Sequence, residues 1–130
     1  MMLFDTCALL WVTLDPDSLT EEERNIALSD FEAGEAAVSS ISFWEVGAKI
    51  KKNRIDIGMP LEEYIHKIHL FGGFEIIPVD EMIWMENIRL NWDHRDPADR
   101  TIVATAGLRG IPILTKDMTI RAYYPNQGWL

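Results

Sequence analysis

Long hydrophobic runs are absent from this sequence, because no apolar stretch approaches the roughly 18 residues that a helix needs to cross a bilayer. The N-terminus also lacks a basic region and a small-residue cleavage site, and Asp5 interrupts its apolar opening. We therefore expect a protein with no membrane association and no targeting segment.

Cysteine is almost absent as well, since Cys7 is the only one. A single thiol excludes an internal disulfide, which is typical of a reducing compartment, and we expect a cytoplasmic protein. We place Cys7 itself in the core, since a neighbouring Asp5 disfavours a reactive thiolate. A glycine-rich phosphate loop is also missing, because Gly107-Leu108-Arg109-Gly110 reads as the end of a helix.

Positive charge is scarce, and the formal net charge is −9. This balance argues against a broad non-specific DNA-binding face, because phosphate contacts require basic residues. Four of the twelve basic residues nevertheless fall within six positions, at Lys49, Lys51, Lys52 and Arg54. The distribution of charge therefore leaves a nucleic-acid substrate possible.

The hydrophobic content, 48% of 130 residues, is sufficient for a core, and no repeat or linker divides the chain. We expect one domain spanning residues 1–130. Short apolar strands alternate with amphipathic helices, which predicts an α/β fold with a mostly parallel sheet. The predicted strands are 2–5, 36–39, 74–79 and 111–115, with a final edge strand at 128–130. Capping boxes are predicted at Thr20 with Glu23 and at Ser42 with Glu45.

Five acidic residues occupy positions at the edges of the predicted core segments: Asp5, Glu45, Asp96, Asp99 and Asp117. A carboxylate in such a place must be paired, hydrogen-bonded or bound to a cation. Sites in parallel sheets form beyond the carboxyl ends of the strands, and all five positions are compatible with that rim. Because oxygen ligands suit Mg²⁺ and Mn²⁺, the pattern predicts a site for one of these ions.

Each acid also has a local explanation that involves no metal. Glu45 fits the capping box or an ion pair with Lys49, Asp96 fits a helix N-cap before a proline, and Asp117 fits a turn. Asp99 is harder to explain locally, because helical spacing aligns it with the buried stripe of its helix. His94 fits either a substrate contact or a structural role in its loop.

Four segments together resemble the PIN-domain ribonucleases, and within them the VapC toxins of prokaryotic toxin–antitoxin pairs. They are Leu3-Phe4-Asp5-Thr6-Cys7-Ala8-Leu9-Leu10-Trp11, Ser42-Phe43-Trp44-Glu45-Val46, His94-Arg95-Asp96-Pro97-Ala98-Asp99-Arg100 and Leu114-Thr115-Lys116-Asp117. The resemblance implies an α/β/α sandwich and a Mg²⁺- or Mn²⁺-dependent endoribonuclease that hydrolyses RNA with a metal-activated water. It also implies a homodimer that is inhibited by a small antitoxin protein.

The same resemblance assigns roles by position. Asp5, Glu45 and Asp99 match the first three family acids, and Asp117 matches a more variable fourth. Asp96 belongs to the His-Arg-Asp-Pro variant of the motif, where it is a metal ligand or a helix cap. Two hydroxyl residues that commonly line the site are matched by Thr6 and Thr115. The basic residues Lys49, Lys52 and Arg54 either steer phosphates or form a solvated helix face.

Two other functions remain open from the sequence. A phosphoacceptor signalling domain is also α/β with clustered acids, but it usually carries an adjacent acidic pair where Asp5 stands alone. A non-catalytic PIN-like module that binds RNA or a protein has no need of all five acids.

Overall fold

A four-stranded sheet, parallel throughout, forms the centre of the protein. The structure is a computed structural model and describes residues 1–129. The strands lie in the order β3-β2-β1-β4, and their bounds are β1 (Met2–Phe4), β2 (Ala36–Ser39), β3 (Phe74–Ile77) and β4 (Ile113–Leu114). The predicted α/β class with a parallel sheet is confirmed.

Helices connect these strands, as parallel strands require. They are α1 (Thr6–Leu14), α2 (Glu21–Glu32), α3 (Ile41–Lys51), α4 (Leu61–Phe71), α5 (Glu81–Arg89), α6 (Pro97–Arg109) and α7 (Met118–Tyr123), with a one-turn 3-10 helix at Pro16–Ser18. Among the described residues, none of these helices has both the length and the apolar character that a membrane crossing demands.

The two faces of the sheet carry alternate side chains of each strand and pack against different helices. On one face Leu3, Ala37 and Ile113 join a buried cluster with residues of α5, α6 and α7. On the other face Phe4 and Val38 pack in clusters built from α1, α2, α3 and α4. Helices thus cover both faces, and the predicted three-layer α/β/α sandwich is confirmed.

The two predicted capping boxes have different outcomes. At the start of α2, the Thr20 hydroxyl accepts a hydrogen bond from the Glu23 amide at 3.1 Å, and the Glu23 carboxylate accepts one from the Thr20 amide at 2.8 Å. The box at Ser42 is wrong, because α3 begins at Ile41 with Ser40 as its N-cap, two residues earlier than a cap at Ser42 requires. Ser42 is buried inside the helix, where its hydroxyl accepts a hydrogen bond from Thr6 instead.

The predicted edge strand at 128–130 is wrong for the residues that the structure describes. A single parallel bridge joins Gln127 to Ile113, and the chain then leaves the sheet. The reason is the side chain of Trp129, which is buried against α1 and α2 and donates a hydrogen bond to the Glu23 carbonyl at 3.1 Å. The last residue of the predicted strand, Leu130, lies outside the described residues.

Candidate active site

A cavity of about 320 Å³ opens at the carboxyl ends of β1 and β4, between α1, α3 and the start of α6. Four separate segments contribute acids to it, and all of the predicted acidic residues line it: Asp5, Glu45, Asp96, Asp99 and Asp117. The fold therefore brings together carboxylates that are up to 112 positions apart in the sequence.

Asp5 lies deepest among these acids, with 6% of its surface exposed. It follows β1 and caps α1, since its Oδ1 accepts a hydrogen bond from the Ala8 amide at 2.7 Å. Its Oδ2 accepts a hydrogen bond from the Thr115 hydroxyl, which is also buried. Burial raises the pKa of Asp5 to about 6, against these two hydrogen bonds, and the nearby charge of Asp99 adds to the rise.

Asp96 and Asp99 both lie at the start of α6. Asp96 caps the helix and accepts a hydrogen bond from the Asp99 amide at 2.9 Å, with Pro97 in the first helical position. The Asp99 carboxylate points into the cavity and lies 2.8 Å from the Nε2 atom of His94. Burial raises the pKa of Asp99, the hydrogen bond with His94 opposes this, and the charge of Asp96 reinforces it.

Glu45 completes a group of three carboxylates with Asp96 and Asp99. One oxygen of each residue lies within 4.8 Å of the others. An octahedral Mg²⁺ holds neighbouring ligand oxygens about 3 Å apart and opposite ones about 4.2 Å apart, so binding would draw the three carboxylates closer together. An all-oxygen donor set of this kind fits Mg²⁺ or Mn²⁺, and Glu45 also pairs with Lys49 at 3.6 Å.

Asp117 caps α7, accepting hydrogen bonds from the amides of Thr119 and Ile120 at 2.8 and 3.0 Å. Both bonds use Oδ1, and the side chain lines the cavity beside Asp5. The Thr115 hydroxyl links the two acids, because it donates to Asp5 and accepts from the Asp117 amide at 3.0 Å.

The remaining predicted site residues divide between two places. Thr6 and Lys49 line the cavity, and the Thr6 hydroxyl donates a hydrogen bond to Ser42 at 2.9 Å. Lys52 and Arg54 lie instead in an adjacent cleft. The prediction that Cys7 belongs to the core is wrong, because the residue is exposed and faces the cavity from the first turn of α1.

A model of the PIN domain matches residues 2–124, almost the whole chain. The chain belongs to the PIN domain family. PIN domains are typically metal-dependent nucleases, and this PIN domain carries an acidic cluster that can hold a divalent metal ion.

Two solved structures resemble this PIN domain over nearly its whole length. A toxin–antitoxin complex from Klebsiella pneumoniae is 22% identical, with a TM-score of 0.61, and the match covers 98% of this chain and 95% of that chain. FitAcB from Neisseria gonorrhoeae is 18% identical, with a TM-score of 0.66 and the same coverage of both chains. No curated protein matches the sequence significantly. At these identities the likeness shows the fold alone.

Arg100 supports the site of this PIN domain without lining the cavity, and sequence reasoning missed it. Its guanidinium donates hydrogen bonds to the backbone carbonyls of Asn87, Leu90, Trp92 and His94. These contacts fix the segment between α5 and α6, which holds His94 against Asp99. A local pattern does not reveal them, because the acceptors are backbone carbonyls at the end of α5 and in the loop that follows it.

Replacing this residue in Arg100→Ala will lower the free energy of unfolding by about 2 kcal/mol, since several carbonyls lose a charged donor. Urea denaturation of the metal-free protein measures the change. Arg95→Ala is the matched control, because Arg95 is exposed in the same loop. Equal stability of the two variants would show that Arg100 does not hold the loop.

The raised pKa of Asp5 predicts how stability depends on pH. The native carboxyl has a pKa of about 6, against an ordinary value of 3.8, so the native state binds more protons between these values. The contribution of Asp5 to the free energy of unfolding therefore falls as pH rises from about 4 to about 7. In metal-free protein, Asp5→Asn will gain stability relative to wild type over this range.

Thermal unfolding of both proteins across this pH range measures the difference. A difference in melting temperature between wild type and Asp5→Asn that stays constant from acid to neutral pH would contradict the elevated pKa of Asp5.

Proposed function

We propose that this protein is a Mg²⁺- or Mn²⁺-dependent endoribonuclease and the toxin of a type II toxin–antitoxin pair. The observation that carries the proposal is the convergence of five acids from four segments on one cavity of a PIN domain. Desolvation and mutual repulsion raise the pKa values of Asp5 and Asp99, so a cation between these carboxylates would relieve an unfavourable arrangement.

Asp5 and Asp99 are the main metal ligands in this proposal. Glu45 completes the metal shell or orients the attacking water, and Asp117 serves a second ion or a water molecule. Asp96 keeps an oxygen within 4.8 Å of Glu45 and Asp99, but its hydrogen bond to the Asp99 amide makes it first of all a helix cap.

A divalent cation bound here would supply a water molecule of lowered pKa as the nucleophile and positive charge beside the scissile phosphate. The chain's own residues do the positioning. Thr115 holds the Asp5 carboxylate, and His94 holds that of Asp99, so that both are oriented before substrate arrives. Lys49 pairs with Glu45 at the cavity wall and is placed to attract a phosphate.

Cleavage of labelled single-stranded RNA tests the proposed activity. We expect internal cuts with Mg²⁺ or Mn²⁺, none with EDTA, and none in DNA of the same sequence. An RNA that stays intact with both metals would refute the nuclease function.

A protein partner follows from the toxin proposal. One solved structure that resembles the chain, from Klebsiella pneumoniae, is described as a toxin–antitoxin complex. We propose that a small antitoxin binds this protein in the cytoplasm and blocks the cavity. A short open reading frame beside the gene is the first place to look for it, and its product should inhibit RNA cleavage.

A homodimer is the remaining part of the proposal. α2 and α4 carry Leu28, Leu70 and Phe71 at exposed positions, and Leu70 and Phe71 are 69% and 68% exposed. Phe71 also lines an apolar cleft with Leu28 and Phe31. Such a surface is expected to be covered by a partner, and a twofold contact covers the same patch on both subunits.

Phe71→Glu will convert the dimer to a monomer, because it places a charge in the proposed interface. Light scattering at high micromolar concentration measures the change. Ile88→Glu is the control, since Ile88 is 74% exposed on α5. A wild-type protein that is monomeric, or a dimer that only Ile88→Glu disrupts, would contradict this interface.

A further inference from the structure

A second cleft of about 300 Å³ adjoins the acidic cavity along α3. Glu45, Lys49 and Asp96 line both spaces, so the two adjoin at these side chains. The outer part of the second cleft has a different character, because Trp44, Lys52 and Arg54 line it. We call it the Trp44 cleft.

Trp44 presents an unusually large exposed aromatic surface for a residue on a packed helix. It is 57% exposed, although it lies in the first turn of α3 beside buried Phe43. Packing therefore does not account for a tryptophan at this position. An exposed indole next to a basic wall is the arrangement on which unpaired nucleic-acid bases stack.

The basic residues of the Trp44 cleft are held by an ordered turn. Asn53 has a positive φ of 56°, and the Arg54 amide donates a hydrogen bond to the Lys49 carbonyl at 2.9 Å. This geometry ends α3 and places Lys52 and Arg54 together at the cleft. Within residues 1–129 neither of them forms an ion pair, in a chain whose net charge is −9.

We propose that the Trp44 cleft binds the single-stranded RNA next to the scissile phosphate, with one base on Trp44 and the backbone on Lys52 and Arg54. This inference rests on the proposed nuclease function, because the acidic cavity is taken as the site of cleavage. Because Glu45 and Lys49 belong to the walls of both spaces, one strand that lies over these two residues would reach both.

Single-stranded RNA fits the Trp44 cleft better than a duplex or a peptide. A duplex keeps its bases stacked on each other, so it cannot offer a base to Trp44. An acidic peptide would satisfy Lys52 and Arg54, but it carries no regular series of flat rings to place on Trp44. A nucleotide chain supplies both phosphates and flat bases at a regular spacing, and a phosphate can be bridged to those acids by a divalent cation.

Steady-state kinetics on two substrates test the inference. One substrate is a dinucleotide, which is too short to fill the Trp44 cleft, and the other is a single strand of about ten nucleotides. We expect Trp44→Ala to raise KM about tenfold for the longer strand, with kcat within about twofold, because uniform binding is lost. The rise in KM on the dinucleotide should be clearly smaller, because that substrate makes fewer contacts with the cleft, and Trp44→Phe should retain most of the affinity for the longer strand.

Two matched controls sharpen the experiment. Trp84→Ala removes a tryptophan that is 45% exposed on α5, away from both spaces, and should leave KM unchanged. Lys52→Ala should reduce the salt dependence of binding by about 0.7 in the logarithmic slope. Lys51→Ala should not, because Lys51 is exposed on the same helix but lies outside the cleft.

Several results would overturn the inference. One is a KM of Trp44→Ala on the longer strand equal to that of Trp84→Ala. Another is an equal loss of activity on both substrates, which would make Trp44 a support for Glu45. An unchanged KM with weaker inhibition by a protein partner would assign the cleft to that partner. If wild type cleaves neither substrate, the nuclease proposal fails. Fluorescence anisotropy of the uncleaved longer strand then measures its affinity for the same variants, and a wild-type affinity in Trp44→Ala would show that the Trp44 cleft does not bind RNA.

Discussion

Asp99→Asn will reduce RNA cleavage by several powers of ten while the protein stays folded. Asparagine keeps the shape of the side chain but removes its charge from the proposed metal shell, and the metal supplies both nucleophile and charge stabilisation. Asp5→Asn should have a similar effect, because it is the other main ligand in the proposal. The double variant should lose little more than either single one, since either change already empties the site.

Asp96→Asn is the matched comparison, because it lies on the same turn of the chain and lines the same cavity. Asparagine caps a helix about as well as aspartate, so the hydrogen bond to the Asp99 amide survives and the loss of activity should be much smaller. Initial rates on one RNA at saturating Mg²⁺ measure both. A larger loss of cleavage rate in Asp96→Asn than in Asp99→Asn would exchange the roles proposed for the two residues. Full activity in both variants would refute the nuclease function.

Excess Mn²⁺ will raise the melting temperature above its value in EDTA. A ligand at 100 times its dissociation constant stabilises the native state by about 2.7 kcal/mol, which corresponds to roughly 10 °C for a domain of this size. The physical source is the relief of repulsion and desolvation among the acids of the cavity, which raise the pKa of Asp5 and of Asp99. Asp99→Asn should show a clearly smaller shift.

Asp80→Asn controls for the loss of an acidic helix cap. Asp80 caps α5 through the Ile83 amide at 3.0 Å and does not line the cavity. The rise in melting temperature that Mn²⁺ causes in Asp80→Asn should equal the rise in wild type. Thermal unfolding with Mn²⁺ and with EDTA measures both. A wild-type melting temperature that is the same in Mn²⁺ and in EDTA would contradict a shared metal site.

Much of the fold could be predicted because its signals are local. The short apolar segments that became β1, β2, β3 and β4 alternate with helices, and a parallel sheet then follows from connectivity. The cap at Thr20 was readable because both partners lie within one turn. Ser42 was misread because its partner, Thr6, is 36 positions away and the competing hydrogen bond is tertiary.

The candidate site was only partly readable for the same reason. The sequence indicated that acids such as Asp5 and Asp99 would face one rim of the sheet, and the structure places them around one cavity. It gave no sign that Arg100 would hold the loop before α6, since the acceptors are carbonyls. The exposure of Trp44 was equally hidden, because tryptophan in an amphipathic helix more often indicates core or interface.

A titration with Mn²⁺ that follows metal binding and RNA cleavage together tests the central claim most directly. Paramagnetic resonance reports free Mn²⁺, and the cleavage rate is measured in the same samples. We predict that Mn²⁺ binding and RNA cleavage share one midpoint in wild type. In Asp99→Asn, Mn²⁺ binding should be weaker and RNA cleavage should be abolished. RNA cleavage that persists in excess EDTA, or a wild-type protein that binds no Mn²⁺, would contradict a metal-dependent nuclease built on these acids.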